Sequence, residues 1–515
     1  MLGINLTSLP AYKNSSIPMN DVQGLILKGY NFPNIRYIIF NVKDTEGARK
    51  FCADLVDGSG PGGMKITDAV PWKGNVKPEY CLNIGFTYFG LEAVLGSENT
   101  TTVADYSFTP FSSFTDGAVA DALNIGDIDE SAPENWWQNG GWLSKEPPAK
   151  DGSDLHIQIT LFTQTPQNRE KYYETLLGMI PKAGTEPSVV PVFFQDSDPV
   201  TVDGHDDYIH FGYRDSLSQP RIDESFWEKP EVKRLMGDMT KDDRPVVPAD
   251  RFLISQDATD YGAHPLLTNG TFAAFRLLYQ DEEKFNAFIN SGDMPAELLA
   301  AKMCGRWRNG VPLTISPDTE DFDLGEPGPK NFNFTNFDYL KASPNQQGNQ
   351  DGDTSGLKCP YASHIRRANP RDDSKVTGNN DDAKTHRILR RASPYGLVYN
   401  PPENGEVQRG LVGLFINAIL DYQFRFVTMQ WFNLGGFRNP DASPNISGID
   451  PLFGMQKHDA TPALDSEFAF NDNGTYKVVP KKLERFVRTD GSLYLFLPSI
   501  SALKYISEGE IPPVE

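Results

Sequence analysis

The chain has few cysteines, and no two of them have a metal-binding or redox spacing. Its 515 residues include four cysteines, at positions 52, 81, 304 and 359, and none forms a CxxC or CxxCH pair. This spacing argues against a zinc ribbon, a thioredoxin motif and covalent attachment of a cofactor through CxxCH. So few cysteines in so long a chain favour a reducing compartment.

Long apolar runs and an excess of positive charge are also missing. Nothing approaches the roughly eighteen consecutive apolar residues of a membrane-spanning helix, and residues 1–20 lack the basic and apolar regions of a secretory signal. We therefore expect a cytoplasmic protein, with a secreted form whose leader has been removed as the alternative. Lys plus Arg number 48 against 69 for Asp plus Glu, and the net charge of −21 argues against nucleic acid and anionic membranes as partners.

At 39% hydrophobic residues, the chain can bury a sizeable core. In its first part, apolar runs that suit strands alternate with helical patterns. We predict strands at 37–42, 81–86 and 154–163, and helices at 45–56, 87–95 and 168–179, with Asp44 capping the first helix. Residues 108–129 are interpreted as part of a polar loop. The order of elements predicts a ferredoxin-like α+β unit.

A segment rich in Pro, Gly and Asp at 185–205 indicates a boundary. We predict two domains, 1–195 and 196–515. In the second, a strand at 270–280 and helices at 281–289 and 295–304 repeat the strand–helix pattern, and 314–356 is interpreted as loop. Apolar segments at 413–418, 422–432 and 493–496 complete this unit.

The stretch 359–396 holds the first candidate site residues. It reads CPYASHIRRANPR, then a polar insert, then THRILRRASPYG, and it places His364 among basic residues. A lone histidine is most often a surface or hydrogen-bonded core residue, but a neutral imidazole also binds a metal through one nitrogen. The arginines around it are either a solvated basic face or, against the acidic background of the chain, a specific anion site.

Two aspartates outside this stretch are further candidates. Asp215, in FGYRDSLSQP, is either a turn or cap residue or an acid–base carboxylate. Asp450, in SGIDPLFG, is either a turn residue before proline or the acceptor for the second ring nitrogen of His364. Arg390 suits the stabilisation of developing negative charge, because a guanidinium stays protonated at any working pH.

Several of these segments, in this order, resemble those of the dye-decolorizing peroxidases, a family of haem enzymes. The segments are DVQGLIL, NIGFTYFGLEAVLG, FTPFSSFTDGAVADALNIGDIDESAPENWW, FGYRDSLSQP, GRWRNGVPL, CPYASHIRRANPR, ILRRASPYG and SGIDPLFG. The resemblance covers about residues 21–500. It implies an α+β fold of two ferredoxin-like domains packed together, with antiparallel sheets and peripheral helices as in the dimeric α+β barrel superfamily. It also implies haem b in the C-terminal domain.

By this resemblance, five residues of the chain match positions with a role in the family. His364 matches the proximal ligand of the haem iron, Asp450 its acidic partner, and Arg371, in ANPR, a position that binds a haem propionate. Asp215 matches the distal acid–base residue and Arg390 the distal arginine.

The resemblance also concerns three other positions near the distal side, which are Arg391, Phe415 and Ser216. Arg390 is preferred to Arg391 because it stands four residues before the Pro-Tyr-Gly that the family shares. Phe415 is placed over the distal face, although RGLVGLFINA departs from the family's usual spacing. Ser216 replaces the glycine that follows the catalytic aspartate in the family. If that glycine serves a backbone angle open only to glycine, the loop must shift here.

The resemblance implies a haem peroxidase that reduces hydrogen peroxide and oxidises dyes, phenols or other aromatic donors by one-electron steps. The first alternative is a non-enzymatic haem carrier or haem-iron release protein, which needs the ligand and the propionate arginines only. The second is a haem-free binding module that keeps the fold. We expect a monomer or a homodimer.

Overall fold

The computed structural model describes most of the residues of the chain. They are residues 17–72, 76–107, 112–138, 141–202, 204–215, 217–222, 245–255, 263–321, 337–340, 352–373, 383–402, 407–434, 437, 448–455, 468–472, 475–479 and 482–514.

One eight-stranded antiparallel sheet organises the described residues. Its strands are β1 Asn34–Val42, β2 Tyr80–Phe86, β3 Ile157–Thr163, β4 Val189–Ser197, β5 Thr271–Gln280, β6 Leu389–Tyr395, β7 Gly410–Asn417 and β8 Val487–Leu497. Their spatial order is β6-β7-β5-β8-β2-β3-β1-β4. The first four strands and the last four therefore adopt the same order within each half, which confirms the expected α+β fold with ferredoxin-like units.

The two halves meet where β8 lies beside β2. Only Phe496 and Phe86 pair across this seam. The buried side chain of Gln23 reinforces it, because its Nε2 donates to the carbonyl oxygens of Ile84 at 2.8 Å and Pro498 at 2.9 Å. Its Oε1 accepts from the backbone N–H of Ile84 at 2.9 Å. One amide thus satisfies backbone groups from both halves.

The two outer strands, β4 and β6, also approach each other. Ser197 Oγ donates to the carbonyl oxygen of Pro394 at 2.5 Å, so the curved sheet nearly closes on itself. Trp137 fills the space between the halves. Its ring centroid lies 5.2 Å from that of Phe193 on β4 and 6.4 Å from that of Phe275 on β5. A single apolar core therefore runs through both halves.

Helices cover the outside of the sheet. They are α1 Gly24–Leu27, α2 Thr45–Asp57, α3 Tyr88–Leu95, α4 Ser97–Tyr106, α5 Ser112–Ile125, α6 Pro166–Gly178, α7 Glu282–Ile289, α8 Ala296–Cys304, α9 His364–Ala368 and α10 Ile500–Glu508. Asp44 caps α2 as predicted, since its Oδ2 accepts from the N–H of Gly47 at 2.7 Å. Between β7 and β8 the chain forms π-helical turns at Asp421–Arg425 and Val427–Phe432.

The interpretation of 108–129 as a polar loop was wrong. Residues 108–111 lie outside the described part, and α5 occupies most of the remainder. Its buried residues include Phe114, Ala118, Ala122 and Ile125, a helical spacing that the surrounding Ser, Thr and Asp residues hide. Gly117, with φ of 79°, breaks the helix near its start.

The proposed division at 195/196 stays a prediction. β4 ends two residues beyond it, and β5 opens the second half of the sheet. β8, from the far end of the chain, lies in the middle of the sheet, and α10 packs against α2 of the first half. Among the described helices, none has the length and apolar character needed to cross a membrane.

Candidate active site

His364 begins helix α9 and pairs with a buried carboxylate. Its Nδ1 lies 2.8 Å from Oδ2 of Asp450, which is fully buried, whereas the imidazole is 32% exposed. The other oxygen of Asp450 accepts from the backbone N–H groups of Leu452 at 2.9 Å and Phe453 at 2.8 Å. With Nδ1–H donating to this fixed carboxylate, Nε2 keeps its lone pair for a metal.

The two arginines that follow His364 hold α9 in place. Arg366 donates to Asp353 Oδ2 at 2.7 Å, and Arg367 donates to the carbonyl oxygens of Trp431 and Gly448. Both side chains are buried, and burial lowers the pKa of Arg367 to about 10. They are neither a solvated basic face nor part of the candidate anion site, because their donors serve the fold.

Asp215 and Arg390 form an ion pair on the β6 side of the site. Arg390 Nη1 lies 3.2 Å from Oδ2 of Asp215, and Nη2 contacts Oδ1. Burial alone would lower the pKa of Arg390, but the Asp215 carboxylate outweighs it and raises that pKa. The backbone N–H of Asp215 donates to the carbonyl oxygen of Asp207 at 2.6 Å, which fixes the loop. Ser216 lies outside the described residues.

Arg391, the sequence neighbour of Arg390, and Phe415, its neighbour across the sheet, make different contacts. Arg391 donates to the carbonyl oxygens of Leu25 at 2.8 Å and Ile26 at 3.1 Å, so it secures α1. Phe415 on β7 is the cross-strand partner of Arg390, which places the two side chains on one face of the sheet. A Cβ on Gly413 would lie 2.7 Å from the Phe415 ring, so glycine there leaves room for the ring.

Arg371 lies in a cluster with two arginines that the sequence reasoning missed, Arg306 and Arg387. Arg306 donates to Ser218 Oγ at 3.0 Å, and Arg387 donates to the carbonyl oxygen of Ser218. Two of these guanidinium groups contact the Phe337 ring. The guanidinium carbon of Arg371 lies 3.7 Å from the ring centroid, and that of Arg306 lies 5.5 Å from it. The cluster is adjacent to the loop that carries Asp215, since Ser218 follows three residues later.

This cluster has an excess of buried positive charge. Burial, together with the charge of Arg371, lowers the pKa of Arg306 to about 10 and that of Arg387 to about 9. Among the described residues, neither Arg306 nor Arg387 has a carboxylate within ion-pair distance. An anionic ligand would relieve both the desolvation and the repulsion. The only sequence signals were the motif segments GRWRNGVPL and THRILRR, in which these arginines stand.

Together, these side chains suit a haem: one imidazole with a free nitrogen, a cluster of arginines for carboxylate groups, and an acid–base carboxylate beside a guanidinium. Such a set of side chains is compatible with an oxidoreductase of the peroxidase type. Comparison with models of known protein families gives no match. Several curated relatives and solved structures, however, match nearly the whole chain and carry the same family name.

A dye-decolorizing peroxidase of Mycena epipterygia is 26% identical over 519 residues, which cover 96% of this chain and 88% of the relative. One from Auricularia auricula-judae is 25% identical, covering 95% and 87%. A solved dye-decolorizing peroxidase in complex with 2,6-dimethoxyphenol superposes with a TM-score of 0.71 at 26% identity, covering 96% of this chain and all of that one. Over nearly its whole length, the chain is therefore similar to dye-decolorizing peroxidases, which are haem enzymes.

Proposed function

We propose that the chain binds haem b and uses hydrogen peroxide to oxidise aromatic donors, such as dyes and phenols, by one-electron steps. The observation that carries this proposal is the Asp215–Arg390 pair, because acid–base chemistry needs it and haem storage does not. A relative solved with 2,6-dimethoxyphenol supports phenols as a donor class.

His364 would hold the haem iron through Nε2, and the carboxylate of Asp450 would strengthen that bond by accepting the Nδ1 proton. Arg306, Arg371 and Arg387 would pair with the two haem propionates, whose negative charge would offset the desolvation and repulsion at Arg306 and Arg387. Bound haem would contribute the one-electron redox chemistry that these side chains do not have.

Asp215 would act as the proton carrier. Its carboxylate takes the proton from the near oxygen of hydrogen peroxide and returns it to the far oxygen, which leaves as water when the O–O bond breaks. Arg390 stabilises the negative charge that develops on the leaving oxygen. Two donor molecules then give one electron and one proton each, so one hydrogen peroxide and two donors yield two waters and two donor radicals.

The present contact between the two side chains has a consequence for this step. Both oxygens of Asp215 face the guanidinium of Arg390. A carboxylate oxygen has two lone pairs, so either oxygen can accept a proton from peroxide while Arg390 still contacts it. The acid–base group and the cation therefore lie side by side, where one peroxide can contact both.

The described relatives are all named peroxidases, and nothing favours the non-enzymatic haem carrier. The oligomeric state, the partners and the localisation remain predictions. We predict a monomer or homodimer that does not bind nucleic acid, and either a cytoplasmic protein or a secreted one whose leader has been removed. The four cysteines are buried and free, as a reducing compartment favours.

Purified protein reconstituted with haem tests the proposal. We expect a Soret band and peroxide-dependent oxidation of 2,6-dimethoxyphenol. Arg390→Leu should bind haem as the wild type does and lose turnover. A haem carrier would take up haem without oxidising the phenol in either form, and a haem-free binding module would show no Soret band. Either result would overturn the proposed function.

A further inference from the structure

The loop that carries Asp215 contacts strand β6 through the Asp215–Arg390 ion pair and, in addition, through His210. His210 stands five residues before Asp215, and its Nε2 lies 2.7 Å from the carbonyl oxygen of Tyr395, the last residue of β6. A carbonyl can only accept, so Nε2 carries the proton and donates it. The imidazole is buried, with 3% of the residue exposed.

This bond connects the segments that hold the two members of the ion pair. Arg390 lies on β6, five residues before Tyr395. The same loop also reaches Arg390 from its other end, where Gln219 Nε2 donates to the Arg390 carbonyl oxygen at 2.8 Å. The described residues on both sides of position 216 therefore contact the backbone of β6, and His210 fixes one end of this segment.

The second nitrogen of His210 faces a carboxyl group. Nδ1 lies 3.9 Å from Oε2 of Glu282, the first residue of α7, and neither atom has a hydrogen-bond partner within the described part of the chain. With the proton on Nε2, Nδ1 is an acceptor, so it needs a donor. A protonated Glu282 can be that donor after a small shift, whereas an ionised Glu282 would face the lone pair of Nδ1.

Burial favours the uncharged forms of both groups in mildly acidic solution. Burial raises the pKa of Glu282 to about 7, although the guanidinium groups of Arg409 and Arg308 and a contact with the backbone of Tyr399 oppose the shift. Burial lowers the pKa of His210 to about 4; Arg409 adds to this, and the carbonyl oxygen of Tyr395 opposes it. Between these two values both side chains are uncharged.

We propose that His210, supported by Glu282, is a positioning residue that holds the Asp215 loop against the strand that carries Arg390. His210 touches neither Asp215 nor Arg390 directly; it fixes the backbone on which each depends. The inference rests on the proposed function, because positioning matters only if Asp215 and Arg390 act on peroxide.

Substitution of His210 tests the bond to Tyr395. In stopped-flow experiments on haem-loaded protein, His210→Leu should slow the reaction with peroxide by about 10- to 100-fold, because a displaced catalytic group loses roughly that much. The KM for 2,6-dimethoxyphenol should not change. His210→Gln, whose amide can still donate to the carbonyl oxygen, should recover most of the rate. His264→Leu removes an equally buried imidazole elsewhere and should leave the rate unchanged.

Hydrogen–deuterium exchange of the haem-free protein gives a readout that does not depend on turnover. Exchange in residues 204–215 should accelerate in His210→Leu and stay at the wild-type rate in His210→Gln and His264→Leu. Unchanged exchange and an unchanged peroxide rate in His210→Leu would overturn the inference. If His210→Leu does not fold, the result for His210→Gln decides: a rate as low as that of Asp215→Asn would also overturn it.

A pH series tests the role of Glu282. The peroxide rate of the wild type should fall as pH rises through about 7, because ionised Glu282 no longer donates to His210. Glu282→Gln donates at every pH, so its rate should stay level over the same range. An identical alkaline decline in both proteins would overturn the part assigned to Glu282. If Asp215→Asn itself reacts with peroxide at the wild-type rate, the proposed function fails; if only the His210 and Glu282 variants behave normally, this inference alone fails.

Discussion

Arg36 and Arg306 are almost equally buried, with 4% and 5% of each residue exposed, but their surroundings are opposite. Arg36, on β1, pairs with Asp196 at 2.6 Å and with Glu170 at 2.7 Å. Burial alone would lower its pKa, and these carboxylates raise it instead. Arg306, in the second half, has a carbonyl and a hydroxyl oxygen as partners, and its pKa falls to about 10 because burial is not offset.

The two halves of the sheet share one strand order, so strand order does not explain this difference. In the first half, carboxylates of the same half balance the buried charge of Arg36. In the second half, Arg306 and Arg387 have no carboxylate within ion-pair distance among the described residues, which leaves a place for an anionic ligand. We infer that function depends on residues added to a repeated framework, and that an unbalanced buried charge indicates where those residues lie.

The largest contrast between the halves should come from their histidines. His364→Ala should lose haem, because no other side chain of the site offers the same nitrogen to the iron. His156→Ala, in the first half, should keep it, since His156 Nδ1 accepts a backbone N–H at 2.9 Å and has no part in the site. The Soret absorbance per mole of purified protein measures both. Full haem content in His364→Ala would remove the proximal role from this residue.

Substitution of two carboxylates that each form an ion pair should give rates of reaction with peroxide that differ about a hundredfold or more. Asp215→Asn should slow the reaction with peroxide by at least about 100-fold at full haem content, because the amide cannot carry the proton. Asp196→Asn, which weakens the Arg36 pair, should leave that rate unchanged. Stopped-flow spectroscopy of the haem band gives both rates. Equal rates in the two variants would remove Asp215 from the mechanism.

Asp450→Asn should weaken haem binding by about 10- to 100-fold, the usual cost of losing a carboxylate behind a metal-bound histidine. The amide keeps the shape, and its oxygen can still accept from Leu452 and Phe453, so the fold should survive. Haem transfer to an apo-globin measures the loss. Wild-type retention of haem would show that Asp450 serves only the turn in which it stands.

The smallest expected effect is on the free energy of unfolding, measured for variants of Arg36 and Arg306. Arg36→Met should destabilise the haem-free protein by about 2 kcal/mol, since its partly exposed carboxylates can be rehydrated. Arg306→Met should stay within about 1 kcal/mol of the wild type, because removing an uncompensated buried charge offsets the lost hydrogen bonds. Urea unfolding of both variants measures this difference. A greater loss in Arg306→Met would mean that its charge is balanced by groups other than a bound ligand.

Much of the framework could be predicted from sequence because its signals are local. Apolar runs marked β1, β2, β3 and β5, and Asp44 marked the start of α2. The candidate site was predicted through short motifs, and the structure brings His364 to Asp450 and Asp215 to Arg390. Local patterns do not contain the strand order or the closure of the sheet, which depend on pairings between distant residues.

The residues that were missed follow the same rule. Arg306 and Arg387 are 81 positions apart in the sequence, and only the fold brings both to Ser218. Their charge is unusual only because it is buried, and burial is a property of the tertiary structure. Helix α5 was missed because its polar residues hide an apolar stripe whose partner is the second half of the sheet.

The position of β8 has a consequence for how a nascent chain acquires this fold. This strand is synthesised after the other seven, yet it lies between β5 and β2 and joins the two halves. During translation, the strands of the first half can pair with one another. One edge of β5 in the second half stays unpaired until β8 has been synthesised. The half that carries the candidate site is thus completed last, and a ribosome that stalls before residue 487 leaves an unpaired edge strand open to aggregation.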